Sequence, residues 1–491
     1  MGKRVWRLTS ALVLGLVALG ALLLERTWTP SPLPAPVDTM PIAPLALEAP
    51  AVLRRLAGAV RLPTVSTSDA PPPIEQLRAF HAYLAQQFPR VHNDLVLEEV
   101  GHGALLFTWK GSDATQTPII FSAHQDTVPV DPETRARWLH DPWSGEISDG
   151  VLWGRGALDD KASLVSILEA AEQLLQQGFV PRRTIYFAFG SDEERGGQQG
   201  AKAIAQLLQQ RGVHAGLVLD EGGAITRELL PGVPGEFAVV GVAEKGFATV
   251  RLTVLAAGGH SSQPSEESAI GILSRAMVKL EVNQFPARVT PAAKAMLDAV
   301  APLLPFRRRM LVRNRWLFEP MLINELARTP AGNALVRTTT AETTFQAGVN
   351  DNMLPSMATG TVNYRILPGE SVGDVLAHVR RVVDDARVEI ALGAERVEPS
   401  VTSPVDGEGF ATVSRTIRQV LPDAPVVPFL VTGATDSRHY IAVTDEQLRF
   451  VPYRLMPRNV GRIHGIDEGI EVIEYLDCVR FAFQFMRNAA G

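Results

Sequence analysis

The sequence predicts an α/β fold: a central, mostly parallel sheet flanked by helices, interrupted by a second domain and preceded by a membrane helix. Three observations carry this. Short apolar runs rich in branched and aromatic residues, "TPIIFSA", "TIYFAF" and "AGLVLD", alternate with segments of helical spacing. In "DDKASLVSILEAAEQLLQQG" the residues Leu164, Ile167, Leu168, Ala171, Leu174 and Leu175 recur at three and four, with Gly178 placed to stop the helix. An uncharged run from Leu8 to Leu24 follows Lys3, Arg4 and Arg7. Strand, helix and strand with both sheet faces covered make a parallel layer. The uncharged run is a membrane anchor or a signal peptide.

Taken in order, the N-terminus comes first. Ala18 and Gly20 would suit a cleavage site, but the apolar run continues past them to Leu24 before Glu25 and Arg26 stop it, which favours an anchor. Basic residues ahead of a span stay in the cytoplasm, so the remainder is expected outside it, with secretion after signal cleavage as the alternative. Residues 1–28 are thus the anchor or signal, and the proline-rich stretch 29–50 reads as an extended tether. The rest is long enough for two folded units within the 491 residues. We place the main domain at 51–242 and 399–491 and the interrupting domain at 243–398. The 47 basic and 53 acidic residues leave a net charge of −6, which argues against a nucleic-acid partner. The single cysteine, Cys478, rules out an intramolecular disulfide and a cysteine metal cluster.

Ligands of such sheets gather beyond the carboxyl ends of the strands. There "FSAHQDTVPV" places His124 and Asp126, "FGSDEE" places Glu193 and Glu194, and "LVLDEGG" places Asp220 and Glu221. "WGRGALDDKAS" adds Asp159 and Asp160 ahead of the long helix. Carboxylates and imidazoles without thiolates suit zinc or a similar divalent ion, cobalt and manganese included. Two divalent ions carry four positive charges; Asp159, Glu194, Asp220 and a bridging hydroxide return four negative ones, so a buried site is neutral. In His124-Gln125-Asp126 the aspartate can fix the tautomer of the imidazole.

Six motifs, "SAHQDTVPV", "GRGALDDKAS", "GSDEERGG", "VLDEGG", "GGHSSQPS" and "RIHGIDE", resemble in order and approximate spacing those of the M20 metallopeptidases. "WGRGALDDK", "LDEGG", "TDSRHY" and "RIHG" most resemble the branch of Gly-X carboxypeptidase and the N-fatty-acyl amino acid hydrolases. The resemblance covers roughly residues 60 to 490. It implies two zinc ions, one held by His124 and Asp220, the other by Glu194 and His464, with Asp159 bridging and Glu193 as general base. It also implies a cis peptide between Asp159 and Asp160. The implied activity is hydrolysis of an amide beside a free-carboxylate amino acid, in a small peptide or an N-acyl amino acid. A di-zinc aminopeptidase and a membrane-tethered binding protein without catalysis are the alternatives.

The interrupting domain reads strand, helix, strand, strand, helix, strand, the ferredoxin-like βαββαβ order. In the family such a lid carries dimerisation and a histidine that reaches the substrate oxyanion; "GGHSSQP" matches at His260. Asn352 and Arg365, thirteen positions apart, resemble the family's binders of an α-carboxylate, and Arg438 in "TGATDSRHYI" is the rival. Arginine suits that role because its planar fork meets a carboxylate bidentately. An insertion at about 281–340 contains "PFRRRMLVRNRWLF", which reads either as packed helix or as a segment lying on an anionic membrane beside the anchor.

Overall fold

The computed structural model describes residues 2–29, 42, 45–229, 233 and 235–491. Most of the expected tether, residues 30–41 and 43–44, lies outside them. The chain divides into two compact units, Pro34–Ala243 with Val401–Gly491, and Glu244–Ser400 with Met1–Leu33.

In the first unit the described residues form a ten-stranded sheet. Its path runs Val96–Val100, Ala104–Trp109, Ile185–Gly190, Ile119–His124, Leu217–Asp220, Gln447–Arg449, Glu236–Glu244, Ala224–Arg227 and Arg454–Leu455, with Val426–Val431 beside Glu236–Glu244. The strands ending at Gly190, His124, Asp220 and Arg449 pair in parallel. Those at Val96–Val100, Ala104–Trp109 and Glu236–Glu244 pair antiparallel with their neighbours. The sheet is therefore mixed, which corrects the mostly parallel expectation. Inner strands of either sense read as the same apolar run. Direction was decided by the connections: Gly101 and Gly103, at φ 57° and 70°, close a tight hairpin, and a hairpin makes antiparallel neighbours.

Strand Ile119–His124 is buried along its whole length. Helix Lys161–Gln176 packs against it, and the helix's Leu164, Leu168 and Leu174 are each essentially inaccessible to water. Each such leucine stabilises the layer by about 1.5–3 kcal/mol. Phe485 of the C-terminal helix Val472–Ala490 packs edge-on against Phe121 at 5.4 Å. This core holds the carboxyl ends of three parallel strands at one rim, where the polar motifs follow.

The second unit carries a four-stranded antiparallel sheet in the order Thr339–Ala347, Met357–Ile366, Gly246–Leu255, Val388–Val397. Along the chain its strands and the helices Ala269–Val282 and Val372–Val383 follow the order β-α-β-β-α-β. Ser268 and Ser371 cap those helices by accepting Gly271 N–H and Asp374 N–H. Between Val282 and Thr339 lie the helices Pro291–Val300, Phe306–Arg313, Arg315–Leu326 and Pro330–Val336. The same unit includes the N-terminal helix Gly2–Trp28, whose stretch Trp6–Trp28 is long and apolar enough to cross a membrane.

Candidate metal centre

Four loops of the first unit meet around Asp159. Its Oδ1 lies 3.0 Å from His124 Nε2, and its Oδ2 lies 3.1 Å from His464 Nε2. Glu194 Oε2 stands 3.2 Å from the same His464 nitrogen, and Glu221 Oε1 stands 3.9 Å from His124 Nε2. Two sets of donor atoms result, each within a span of 4.8 Å: His124, Asp159 and Glu221, and Asp159, Glu194 and His464. Asp159 belongs to both.

Local structure explains why these side chains converge. His124 ends its strand, and Asp126, fully buried, turns back beneath it: the Asp126 carbonyl lies 3.0 Å from His124 Nδ1, leaving Nε2 turned to Asp159. The Asp126 carboxylate accepts Glu193 N–H at 3.1 Å, Glu194 N–H at 3.2 Å and the Ser66 hydroxyl at 2.6 Å. One aspartate thus ties the imidazole to the acidic turn. Asp192, also buried, accepts Gln199 N–H and Gly200 N–H at 3.0 and 2.8 Å and closes that turn. Asp160 stands at the start of helix Lys161–Gln176, yet its carboxylate accepts His124 N–H at 3.2 Å instead of capping the helix. The Asp159–Asp160 peptide is cis.

A buried ion pair secures the two loops that bear Asp159 and His464. Glu468 is inaccessible to water and accepts Arg155 Nη1–H at 2.6 Å, Leu158 N–H at 2.9 Å and Asp159 N–H at 3.1 Å. Arg155 Nη2 donates to the carbonyls of Gly465 and His464 at 3.0 and 3.3 Å. His464 has φ 60°, the left-handed region that a side chain with a Cβ occupies rarely, and these bonds hold it there.

The electrostatics ask for cations. Burial pushes the Glu193, Glu194 and Glu221 carboxyls above their ordinary range, against the pull of neighbouring Arg438 and the two histidines. Burial also raises Asp160, to about 8. His464, hydrogen-bonded by Asp159 and Glu194, is held up at about 10. Burial opposes a charged His124, but Asp126 and Asp159 outweigh it and raise its pKa well above the usual imidazole value. Protons are standing in for positive charge at a cluster whose donor set, imidazole nitrogen and carboxylate oxygen, suits a divalent metal. The residues therefore fit a metal centre.

Of the residues singled out from sequence, His124, Asp126, Asp159, Glu193, Glu194 and His464 come together here. Asp220 does not join either donor set: its Oδ2 accepts Ser437 N–H at 2.6 Å, while the next residue, Glu221, faces His124. Arg438 Nη2 lies 3.8 Å from Glu193 Oε1. His260, Asn352 and Arg365 belong to the second unit, the first two exposed, with the Arg365 guanidinium 4.9 Å over the Phe247 ring. His260 sits on a short strand paired to Met353 and Leu354, its Nδ1 2.8 Å from Ser262 Oγ. Sequence reasoning placed Glu221 at the strand end without giving it a ligand's role, and passed over Arg155 and Glu468. All three lie inside the quoted motifs, but which acid faces inward, and that Arg155 meets a loop some three hundred residues away, are tertiary facts.

The profile of peptidase family M20/M25/M40 matches residues 120–488. The chain is 40% identical over 494 residues to the N-fatty-acyl-amino acid synthase/hydrolase PM20D1 of Xenopus tropicalis, covering 98% of this chain and 95% of that protein. It is 30% identical over 499 residues to carboxypeptidase S of Saccharomyces cerevisiae, covering 89% and 84%. Among solved structures, the M20 family metallo-carboxypeptidase Sso-CP2 from Sulfolobus solfataricus superposes with a TM-score of 0.67 at 18% identity, over 89% of this chain and 98% of that one. That likeness is one of fold. The motifs along the chain, the full-length relatives and the family match over residues 120–488 lead to one conclusion: the chain is a hydrolase of the metallopeptidase family M20/M25/M40.

Proposed function

We propose that the chain hydrolyses the amide bond of an N-acyl amino acid or a small peptide, releasing an amino acid with a free α-carboxylate, at a centre of two zinc ions. The observation that carries this reading is the sharing of Asp159 between two donor sets while Glu193, adjacent to Glu194 in sequence, belongs to neither. His124, Asp159 and Glu221 hold one ion, and Asp159, Glu194 and His464 the other. When bound, the ions supply Lewis acidity toward the scissile carbonyl and acidify water.

The protein's own groups do the rest. Glu193 removes a proton from the attacking water and returns it to the departing amine nitrogen, so that amide and water become carboxylic acid and amine, which part as carboxylate and ammonium once the acid's proton passes to the amine. Its freedom from the donor sets leaves its carboxylate available for both transfers. Arg438 beside it tunes its charge and, with Asn352 and Arg365 of the lid, is a candidate for the substrate carboxylate; His260 is the candidate oxyanion donor, in its own subunit or in a lid-mediated homodimer. The N-terminal helix anchors the enzyme with its catalytic part extracytoplasmic. PM20D1 and carboxypeptidase S, by their names, support an acyl-amino acid and a peptide C-terminus respectively.

The test uses the purified full chain, with and without chelator, on long-chain N-acyl amino acids, Gly-X dipeptides and aminoacyl amides. Chelator-sensitive release of free amino acid from either of the first two supports the proposal. Preference for the aminoacyl amides would make it an aminopeptidase, and zinc binding without turnover of any of them would make it a binding protein.

A further inference from the structure

The N-terminal helix does not stand apart from its unit. Asn314, fully buried, donates to the Leu23 carbonyl and the Thr27 hydroxyl, both at 3.1 Å, and Thr27 is itself 2% exposed. Arg313 donates to the Thr29 carbonyl at 2.5 Å and the Arg26 carbonyl at 3.4 Å. Trp28 lies 5.9 Å from Phe306, with the Arg309 guanidinium 5.4 Å over its ring. Arg26 stacks 5.7 Å over Trp316. The helices Phe306–Arg313 and Arg315–Leu326 are thereby clamped to the last two turns of the apolar helix.

Length locates that clamp. The 23 residues Trp6–Trp28 span about 34 Å as a helix, slightly more than the roughly 30 Å of a bilayer's hydrocarbon layer. If the helix crosses, Trp28 emerges at the headgroup level, where tryptophan is favoured, and carries the two clamped helices with it. Their outer surface suits the place. Phe306, Trp316, Leu317 and Met321 are 42–57% exposed, and Leu317 and Met321 share one helix face. Arg307 and Arg308 are exposed, Val312 and Leu322 point inward, and no acid occurs between Asp298 and Glu319; of the two exposed acids on the second helix, Glu319 and Glu325, the latter pairs with Arg328 at 2.6 Å. In water such a face is a liability; on lipid it is an amphipathic, cationic footing.

We propose that the foot of the N-terminal helix and the helices Phe306–Leu326 form one interfacial surface that lies on anionic lipid, with Trp28, Phe306, Trp316, Leu317 and Met321 among the headgroups and Arg307 and Arg308 on lipid phosphates. The proposal rests on the anchor reading, since without a spanning helix nothing brings this face to a membrane. It explains why an insertion long enough for several helices sits in this unit: it fixes the unit at a set orientation to the bilayer, where amphipathic acyl substrates partition.

The test is cross-linking of the reconstituted full chain by a photoactivatable lipid, mapped by peptide mass spectrometry. Vesicles are of phosphatidylcholine alone or an equimolar mixture with phosphatidylglycerol, and the variant is R307E/R308E. Expected is lipid attached to peptides of both residues 6–28 and residues 306–321, the second set labelled more strongly on anionic vesicles. The variant lowers that second labelling by roughly fivefold per arginine reversed, while labelling of the N-terminal helix is kept. Label on the N-terminal helix but none on 306–321, or label there indifferent to lipid charge and to R307E/R308E, overturns the proposal and leaves the anchor intact. Label on neither, with the protein released by alkaline wash, removes the anchor reading itself and the proposal with it.

Discussion

Replacing Glu468 with glutamine tests whether the buried pair with Arg155 positions the metal ligands. The carboxylate serves three donors at once, Arg155 Nη1, Leu158 N and Asp159 N, at 2.6, 2.9 and 3.1 Å, with no access to water. A glutamine of the same shape offers one oxygen. Either Arg155 or the two backbone N–H groups then face an NH2, and at least one buried donor is left unmatched at a cost of about 1–3 kcal/mol. The guanidinium also loses its counter-charge, and breaking a buried pair from one side costs about 3–5 kcal/mol in all. Because the same arginine holds the carbonyls of His464 and Gly465, and the same glutamate holds the Asp159 amide, the loss is expected to appear in metal binding as well as in folding. We expect Glu468→Gln to weaken zinc roughly 10- to 100-fold in a chelator competition and to lower the urea midpoint of the metal-free protein. A cycle with Arg155→Gln should show the two changes strongly coupled. A Glu468→Gln protein that competes for zinc as well as the parent, and unfolds within about 0.5 kcal/mol of it, would refute the positioning role.

Glu193→Gln should keep its full complement of zinc and lose turnover by at least 100-fold, as expected for removal of a general base, whereas Glu194→Ala should lose metal; metal content and rate measured on the same samples decide between them. Glu221→Ala should likewise lose metal, while Asp220→Asn, which retains an acceptor for Ser437 N–H, should retain it; the reverse outcome would return Asp220 to the ligand set. Away from the centre, burial pushes Glu474 up to about 7, and its Oε1 has no hydrogen-bond partner. Unfolded, the group titrates near 4.5, so between those values the folded protein binds more protons than the unfolded one. The stability this group allows is complete below pH 4.5 and is lost as the pH rises through 7. Glu474→Gln should therefore gain on the parent by on the order of 3 kcal/mol at pH 8 and little at pH 4.5, read from urea curves at each pH.

Much of the site was legible in the chain because its chemistry is carried by residue type at strand ends. His124, Glu194 and His464, which occur in order with the other motifs, come to lie in the two donor sets that share Asp159, and the family match confirms the reading of the family. Less legible was anything that depends on which way a side chain turns. The adjacent pair Asp220 and Glu221 are equivalent as letters, yet one meets a backbone amide of residue 437 and the other meets His124. The apolar strands could be recognised but not their directions, since burial on both faces erases the alternation that marks an antiparallel edge.

By itself, then, the sequence determined the α/β class, the apolar N-terminal helix and the set of imidazoles and carboxylates that make this a metallopeptidase-family hydrolase, because hydrophobic period and side-chain chemistry are local properties. Tertiary structure alone decided that the sheet is mixed, that Glu221 stands 3.9 Å from His124 while Asp220 Oδ2 accepts Ser437 N–H, and that Arg155 and Glu468 lock together loops 313 residues apart. It decided too that Asn314 clasps the foot of the N-terminal helix. Those outcomes turn on chain reversals and on contacts between segments remote in sequence, and no local pattern of residues encodes which remote partner a buried polar group will find.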